Sequence, residues 1–484
     1  MYYDTSYGKI YRTYMSNNIL ASIVIVNYNG KHFLEQCFSS LFSMDTPKHS
    51  YEIILVDNHS WDDSVVFTKT HFPQVRIVEN KENLGFSAGN NVGAKIARGK
   101  YIAFLNNDTK VDRLWLSSLI HRIEKNSTIA AVSSKALLYY PFFRLHVQSD
   151  TYAKSDFMRF SGRKRVGVSL ENVTPADIKL KPYIQYGCGF YDVDDKEAIE
   201  KWTDGDAELL IPFDPLAHEV RYTVTLSTDQ PFSGINTELS LTIEDNVLIH
   251  DTLAPHETKQ YTLVLHADQI KKYAKYAVQN AGNIVFKDGY SRDRGAAVRK
   301  TTQIFELDCP FYDKPVEVLA FCGVGVLVRE DIFTKLGGFD ELYFMYYEDI
   351  DLSLTMRRYG YSIWYEPKAV MYHIHAGSSK EGSRFFASHV EKGRLILIAK
   401  HFPLFIVCMQ FGLYVLSFLF ACVSMMKWGL RGNWRLYETL NEKVESRGDI
   451  MKWVVGHIFF LVKKRFVLKL RQKKSMSEIF QSLY

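Results

Sequence analysis

The chain has 484 residues, 47% of them apolar and 23% charged, enough for two or three cores and too hydrophobic for a disordered polymer. Its six cysteines stand far apart with no CxxC pair, which excludes a disulfide framework or a zinc knuckle and fits a reducing compartment. The net charge of +5 is uneven, because residues 427–484 hold 13 Lys plus Arg against 5 Asp plus Glu directly after an apolar stretch, a pattern that favours an anionic membrane surface over nucleic acid.

Residues 1–20 read as a polar, tyrosine-rich tail without the apolar core of a signal peptide, so the folded part is expected to stay inside the cell. Over 21–141 strands and helices alternate. The runs 22–29, 52–58 and 101–108 are apolar and rich in β-branched residues, and each stops in Asn or Asp. Helical patterning is expected at 33–42, 65–71 and 90–97, with another strand at 75–79. Apolar runs without alternation predict strands buried on both faces of a doubly wound parallel sheet, where ligands bind beyond the carboxyl ends of the strands. That edge would receive Asn27, Asn29, Asp57, Asn58, Asn106 and Asp108. Asp57 suits either a base or ribose contact or a turn cap. In Asn83-Leu-Gly-Phe-Ser-Ala-Gly-Asn-Asn, Gly85 and Gly89 open a helix and suit either an anion at free amides or close packing. Asp108 is a hard oxygen ligand for Mg²⁺ or Mn²⁺, and the amide of Asn106 is a poorer one.

The character changes over 142–277. Period-two alternation at 221–227, 239–244 and 261–266, separated by turns, predicts an inserted antiparallel β-sandwich. From 278 to 400 α/β patterning resumes, with a strand at 318–329, a helix at 347–359 and a strand at 362–365. Glu348-Asp-Ile-Asp opens the helix, either to compensate its dipole or to supply a general base. His373 and His375 lie at a strand end without further zinc ligands nearby, which leaves an ordinary polar loop or one imidazole on a metal beside Asp108. In the last segment, 401–484, residues 402–426 carry no charge and are long enough to span a bilayer, whereas the apolar stretch 453–462 is too short. Basic residues flank both, so a span, a hairpin in one leaflet and helices in the interface all fit.

In chain order, Val26-Asn-Tyr-Asn, Val56-Asp-Asn-x-Ser, the 83–91 segment, Leu105-Asn-Asn-Asp, Gly337-Gly-Phe-Asp-Glu, Tyr347-Glu-Asp-Ile-Asp-Leu and Tyr372-His resemble the family 2 glycosyltransferases of GT-A fold, in their rhamnosyltransferase-like and galactofuranosyltransferase-like branch. The resemblance covers about 21–140 and 278–400, with Asn280-Ala-Gly-Asn where the pattern resumes. It implies inverting transfer of a hexose from a nucleoside diphosphate sugar to a hydroxyl of a glycan, lipid-linked in this setting, for cell-surface polysaccharide synthesis at the cytoplasmic face of the cell membrane. Asn27, Asn29, Asp57, Asn58, Asn83, Gly85 and Asn106 would line the nucleotide-sugar site. Asp108 and His373 would hold Mg²⁺ or Mn²⁺, and Asp349, beside Glu348, would be the base. Asn106 stands where a strict DXD element has Asp. The competing expectations are a non-catalytic polysaccharide-binding scaffold and a nucleotidyltransferase, although the latter's glycine-rich loop with basic residues is missing after the first strand.

Overall fold

The structure, a computed structural model, describes residues 19–153, 165–191, 201–299, 302–374 and 383–483; His375 and residues 1–18 lie outside the described residues. The chain divides into two compact units, one made of Met1–Leu137, Gln279–Gly295 and Cys309–Tyr484, the other of Leu138–Val278 and Ala296–Asp308.

In the first unit, strands β1 (Ala21–Asn27), β2 (Tyr51–Asp57), β3 (Arg76–Glu79) and β4 (Tyr101–Leu105) are parallel, in the order β3-β2-β1-β4. The apolar runs of β1, β2 and β4 are buried on both faces. Ile23 and Ile25 join Leu34, Phe38 and Leu119 on one side, while Val24, Val26 and Val56 lie under helix Gly85–Ile96. Gly89 and Gly93 let this helix approach so closely that a Cβ on Gly93 would stand 2.4 Å from Val24 Cγ1.

The sheet is mixed, not wholly parallel. Strand Gly325–Arg329 runs antiparallel to both β4 and Ile129–Leu138. It is also shorter than the expected 318–329, because the backbone of 320–324 bonds to scattered backbone and side-chain partners and not along one neighbouring strand. Ala320 O and Phe321 O accept from Asn283, Phe321 N–H donates to Ser353 Oγ, and Gly323 N–H donates to Asp349. By contrast, the strand expected at 362–365 continues to His373, where Met371–His373 pairs with Thr109–Val111.

The second unit is a sandwich of two antiparallel sheets. Val220, Tyr222, Val224 and Leu226 of strand Glu219–Ser227 alternate inward and meet Leu145, Leu209 and Leu241 of the facing sheet.

Behind the acidic helix Glu348–Arg358, the first unit is completed by helices Arg384–His401, Leu404–Leu430, Trp434–Arg471 and Met476–Leu483. The apolar stretch 453–462 is thus the middle of a 38-residue helix. Tyr343, Ile350 and Leu354 share one core with Leu397, Phe402, Leu461, Met476 and Ile479. Among the described residues one helix, Leu404–Leu430, is long and apolar enough to cross a membrane, and little of it is buried.

Candidate functional site

The amide and carboxylate side chains at the ends of β1 and β2 bond mainly to one another. Asn27 and Asp57 are register partners, with Asn27 Nδ2 3.2 Å from Asp57 Oδ1, and Asp57 Oδ2 accepts Ser60 N–H at 2.9 Å. Asn29, in the left-handed region at φ 53°, donates its N–H to Ser60 Oγ and accepts Trp61 N–H on Oδ1. Asn58 Nδ2 donates to Gly85 O and Asn83 Oδ1 at 2.9 and 3.2 Å. These bonds fix the rim of the sheet, and Asp57 caps the turn.

Gly85 departs from the expected anion cradle. Its N–H is held by Asn83 Oδ1 and the next, that of Phe86, by Phe344 O. At φ 77°, with a hypothetical Cβ 2.3 Å from Phe344 O, Gly85 serves close packing. Asn107, which the sequence did not single out, donates to Asn27 Oδ1 at 2.7 Å and covers Gly30. Asn106 fixes the strand end through its backbone, with its N–H on Val324 O.

Asp108 and His373 come together although 265 positions separate them, since His373 is the register partner of Thr109 and Ile374 N–H bonds Asp108 O. His373 Nε2 lies 3.0 Å from Asp108 Oδ1, and both side chains are buried. On the other side of the ring, Nδ1 is 2.7 Å from Gln279 Oε1. Asp108 Oδ1 makes no aligned hydrogen bond. An imidazole nitrogen and a carboxylate oxygen at this separation suit a shared cation, because neighbouring ligands in an octahedral shell of about 2.1 Å radius stand about 3 Å apart. Among the described residues no cluster of three His, Cys, Asp or Glu could hold a metal. A protein donor set of two fits Mg²⁺ or Mn²⁺, which draw the rest of their shell from phosphate and water.

The acidic helix begins after Tyr346 and Tyr347, both in the left-handed region at φ 67° and 73°. Such strain costs about 1–3 kcal/mol per residue and persists only where the surroundings impose it. Gly393 is packed against both tyrosines. Asp349, half-buried, accepts Gly323 N–H on Oδ2 at 2.9 Å and Ile350 N–H on Oδ1 at 2.8 Å. Since Val324 O holds Asn106, the segment 323–324 ties the Asp349 carboxylate to the Asp108 loop. Burial pushes Asp349 up to about 6, with the nearby charge of Asp293 adding to the rise. Glu348 is buried, and its Oε2 has no partner among the described residues. Burial, then the charge of Asp349, pushes it well above the carboxylate range. Asp351 is the opposite case: buried too, but held well below the usual range by Lys400 and His401. Asp293 and Gln279 carried no local sequence signal, although Gln279 precedes the Asn280-Ala-Gly-Asn segment.

Two family models match the chain, one described as Glycosyl transferase family 2 over residues 22–167 and one as Glycosyltransferase like family 2 over 262–394. A Haemophilus influenzae protein named as an uncharacterized glycosyltransferase is 28% identical over 127 residues, 25% of this chain and 38% of that protein. The poly(ribitol-phosphate) beta-glucosyltransferase of Bacillus spizizenii is 38% identical over 91 residues, 18% of this chain and 14% of the relative. The N-acetylglucosaminyl-diphospho-decaprenol L-rhamnosyltransferase of Mycobacterium tuberculosis is 34% identical over 90 residues, 18% and 29% of the two chains. The match thus spans well under half the length of each relative. A solved structure of GalNAc-T7 with UDP, GalNAc and Mn²⁺ superposes with a TM-score of 0.40 at 15% identity, over 80% of this chain and 51% of that one.

Proposed function

We propose, from family matches that support a family 2 glycosyltransferase, that this chain moves a sugar from a nucleoside diphosphate sugar to a hydroxyl of a glycan, with inversion at the anomeric carbon. The observation that carries the chemistry is the contrast within one turn of the acidic helix. Asp351 is neutralised by Lys400, whereas Asp349 accepts from backbone amides and keeps its affinity for a proton. Two carboxylates whose environments drive their proton affinities apart mark one as structural and the other as the base.

Asp349 takes the proton of the acceptor hydroxyl while the Gly323 and Ile350 amides hold its carboxylate in place. The oxygen then attacks from the face opposite the diphosphate, and the bond from the anomeric carbon to the diphosphate breaks. Asp108 and His373 would hold Mg²⁺ or Mn²⁺, which supplies charge stabilisation for the departing diphosphate. Gln279 holds the His373 ring through Nδ1, and burial of Glu348 raises its affinity for a proton beside the base. Asn27, Asp57 and Asn58 hold the rim against which the nucleotide lies. The outward apolar helix Leu404–Leu430 and the basic tail fit a lipid-linked acceptor at the cytoplasmic face of the membrane.

A panel of nucleoside diphosphate sugars with the full chain tests this, with release of the nucleoside diphosphate as the readout. One donor is expected to be consumed, and Asp349→Asn to abolish its consumption. Release of the sugar 1-phosphate instead, with the nucleoside monophosphate moved to an acceptor, would reassign the chain to nucleotidyl transfer, and no consumption of any donor would leave a binding protein.

A further inference from the structure

Behind the acidic helix, charged groups from separate stretches form one connected chain. Lys400 Nζ lies 2.7 Å from Asp351 Oδ2 and 2.6 Å from Asp340 Oδ2, and Lys464 Nζ lies 2.6 Å from Asp340 Oδ1. Asp351 Oδ1 accepts from the Tyr343 hydroxyl at 3.0 Å and from His401 Nε2 at 2.9 Å. Asp340, Asp351, Lys400 and His401 are buried, and Lys464 is largely covered. Burial brings His401 down to about 4, so it is neutral, in keeping with a buried Nδ1 that has no partner. Two carboxylates therefore face two ammonium groups, and the chain is neutral as a whole.

The far end of the acidic helix is held by the same tail. Arg358 Nε donates to Gln472 Oε1 at 2.9 Å, and Arg358 O accepts Lys473 and Lys474 N–H. From 351 to 358 the acidic helix rises about 10.5 Å, and from 464 to 472 the tail rises about 12 Å, at 1.5 Å per residue. Two attachment points thus match in spacing. Apolar residues of the same volume would fasten a helix at least as firmly as a buried ion chain does, so fastening alone does not account for the charges.

We propose that Lys464 is a positioning residue for Asp349. Through Asp340, Lys400 and Asp351 it sets the first turn of the acidic helix and balances the carboxylates behind it, which makes the C-terminal helix part of the active site. This rests on the reading of Asp349 as the base. The charged or titratable groups around the Glu348–Asp349 pair are Asp293, Cys322 and Asp351, with Tyr343, Lys400 and His401 behind Asp351.

Three full-length variants test it, assayed with the donor that the panel identifies. Lys464→Met removes a positive charge, Asp340→Asn removes a negative one, and Lys464→Arg keeps the charge. Lys464→Met is expected to lower kcat on the order of tenfold, the scale of a sub-ångström misplacement, with the donor KM within about twofold. It should also move the acid limb of kcat against pH upward by on the order of half a unit, and Asp340→Asn should move that limb downward. Lys464→Arg should restore both. A merely structural role predicts slower Met and Asn variants with the limb unmoved, and that result would overturn the proposal. Hydrogen exchange of the Glu348–Arg358 amides in the same proteins needs no substrate. Faster exchange there in Lys464→Met supports the brace, and unchanged exchange refutes it. Should the wild-type chain consume no nucleotide sugar, the functional reading fails and the exchange measurement alone decides whether the brace exists.

Discussion

Asp349 and Asp351 lie two residues apart and should respond to the same substitution in opposite ways. Asp349→Asn removes the group that takes the proton, a loss on the order of 10²- to 10⁴-fold in kcat, while the fold and nucleotide binding persist. Burial raises Asp349 to about 6, and a base works only unprotonated, so kcat should fall as pH drops through about 6. An ordinary Asp would hold activity down to about 4. Asp351→Asn instead leaves Lys400 and Lys464 to share Asp340, one uncompensated positive charge in the interior, at a cost of about 3–5 kcal/mol in denaturant unfolding. The depressed Asp351 carboxylate stabilises the fold fully above its unfolded value of about 3.9, and that stability is lost as pH falls through the lower folded value. At the Asp108–His373 pair, EDTA should abolish turnover and Mn²⁺ or Mg²⁺ should restore it. Asp108→Ala should weaken nucleotide binding when metal is present and leave metal-free binding alone; undiminished turnover in chelator would end metal dependence.

Helix Gly85–Ile96 shows how an element can serve the site without touching a ligand. Gly93→Ala would set a methyl 2.4 Å from Val24 Cγ1 and 2.9 Å from Val56 Cγ2, against two strands that cannot yield. The expected cost is about 1–3 kcal/mol, visible as a lower Tm, with activity lost only as the rim of Asn27 and Asn58 shifts. The same helix separates what was legible in the sequence from what was not. Its glycine spacing and the apolar runs of β1, β2 and β4 announced buried strands with Asn and Asp at one edge, because burial on both faces leaves a local mark in composition. The alternation of Glu219–Ser227 did the same for the sandwich. Segment 318–324 gave no such mark, since its backbone is satisfied by scattered groups remote in sequence, the backbones of Ile363, Asn283 and Asn106 and the side chains of Asn283, Ser353 and Asp349. Gln279 and Asp293 reach the site because the chain returns there after the sandwich, which no window of residues reveals. Glycines that allow packing and glycines that free amides for an anion look alike in sequence, so Gly85 needed coordinates.

At the scale of the whole molecule, the C-terminal helices have two unlike sides. Leu461, Met476 and Ile479 lie in the core behind Asp349, so cutting the chain near Lys400 would open that core and could not report on membrane binding. The outer side is another matter. Phe405, Leu416, Phe420 (74% exposed) and Val423 project from helix Leu404–Leu430, and Phe459 (88% exposed), Phe466 and Leu470 from its neighbour Trp434–Arg471. Helix Leu404–Leu430 is apolar all round, with no polar stripe to turn toward water. The neighbour's Lys463, Lys469 and Arg471 stand among its exposed apolar residues, and each basic residue near an anionic leaflet contributes about 1 kcal/mol. At an anionic leaflet, apolar insertion and charge attraction would therefore act on the same side of the tail. The full chain should sediment with vesicles containing anionic lipid, and added salt should weaken the charge-driven part because the Debye length shrinks to about 3 Å at 1 M. Phe420→Glu combined with Val423→Glu places two charges on the exposed face and leaves the buried Tyr414 and Ala421 untouched. That variant should stay folded and lose most vesicle binding, at about 2.5–3.5 kcal/mol for each acidic group carried into hydrocarbon. Undiminished binding would move the contact to the basic tail alone, and a wild-type chain that stays in the supernatant without detergent would mean that these faces meet protein instead of lipid.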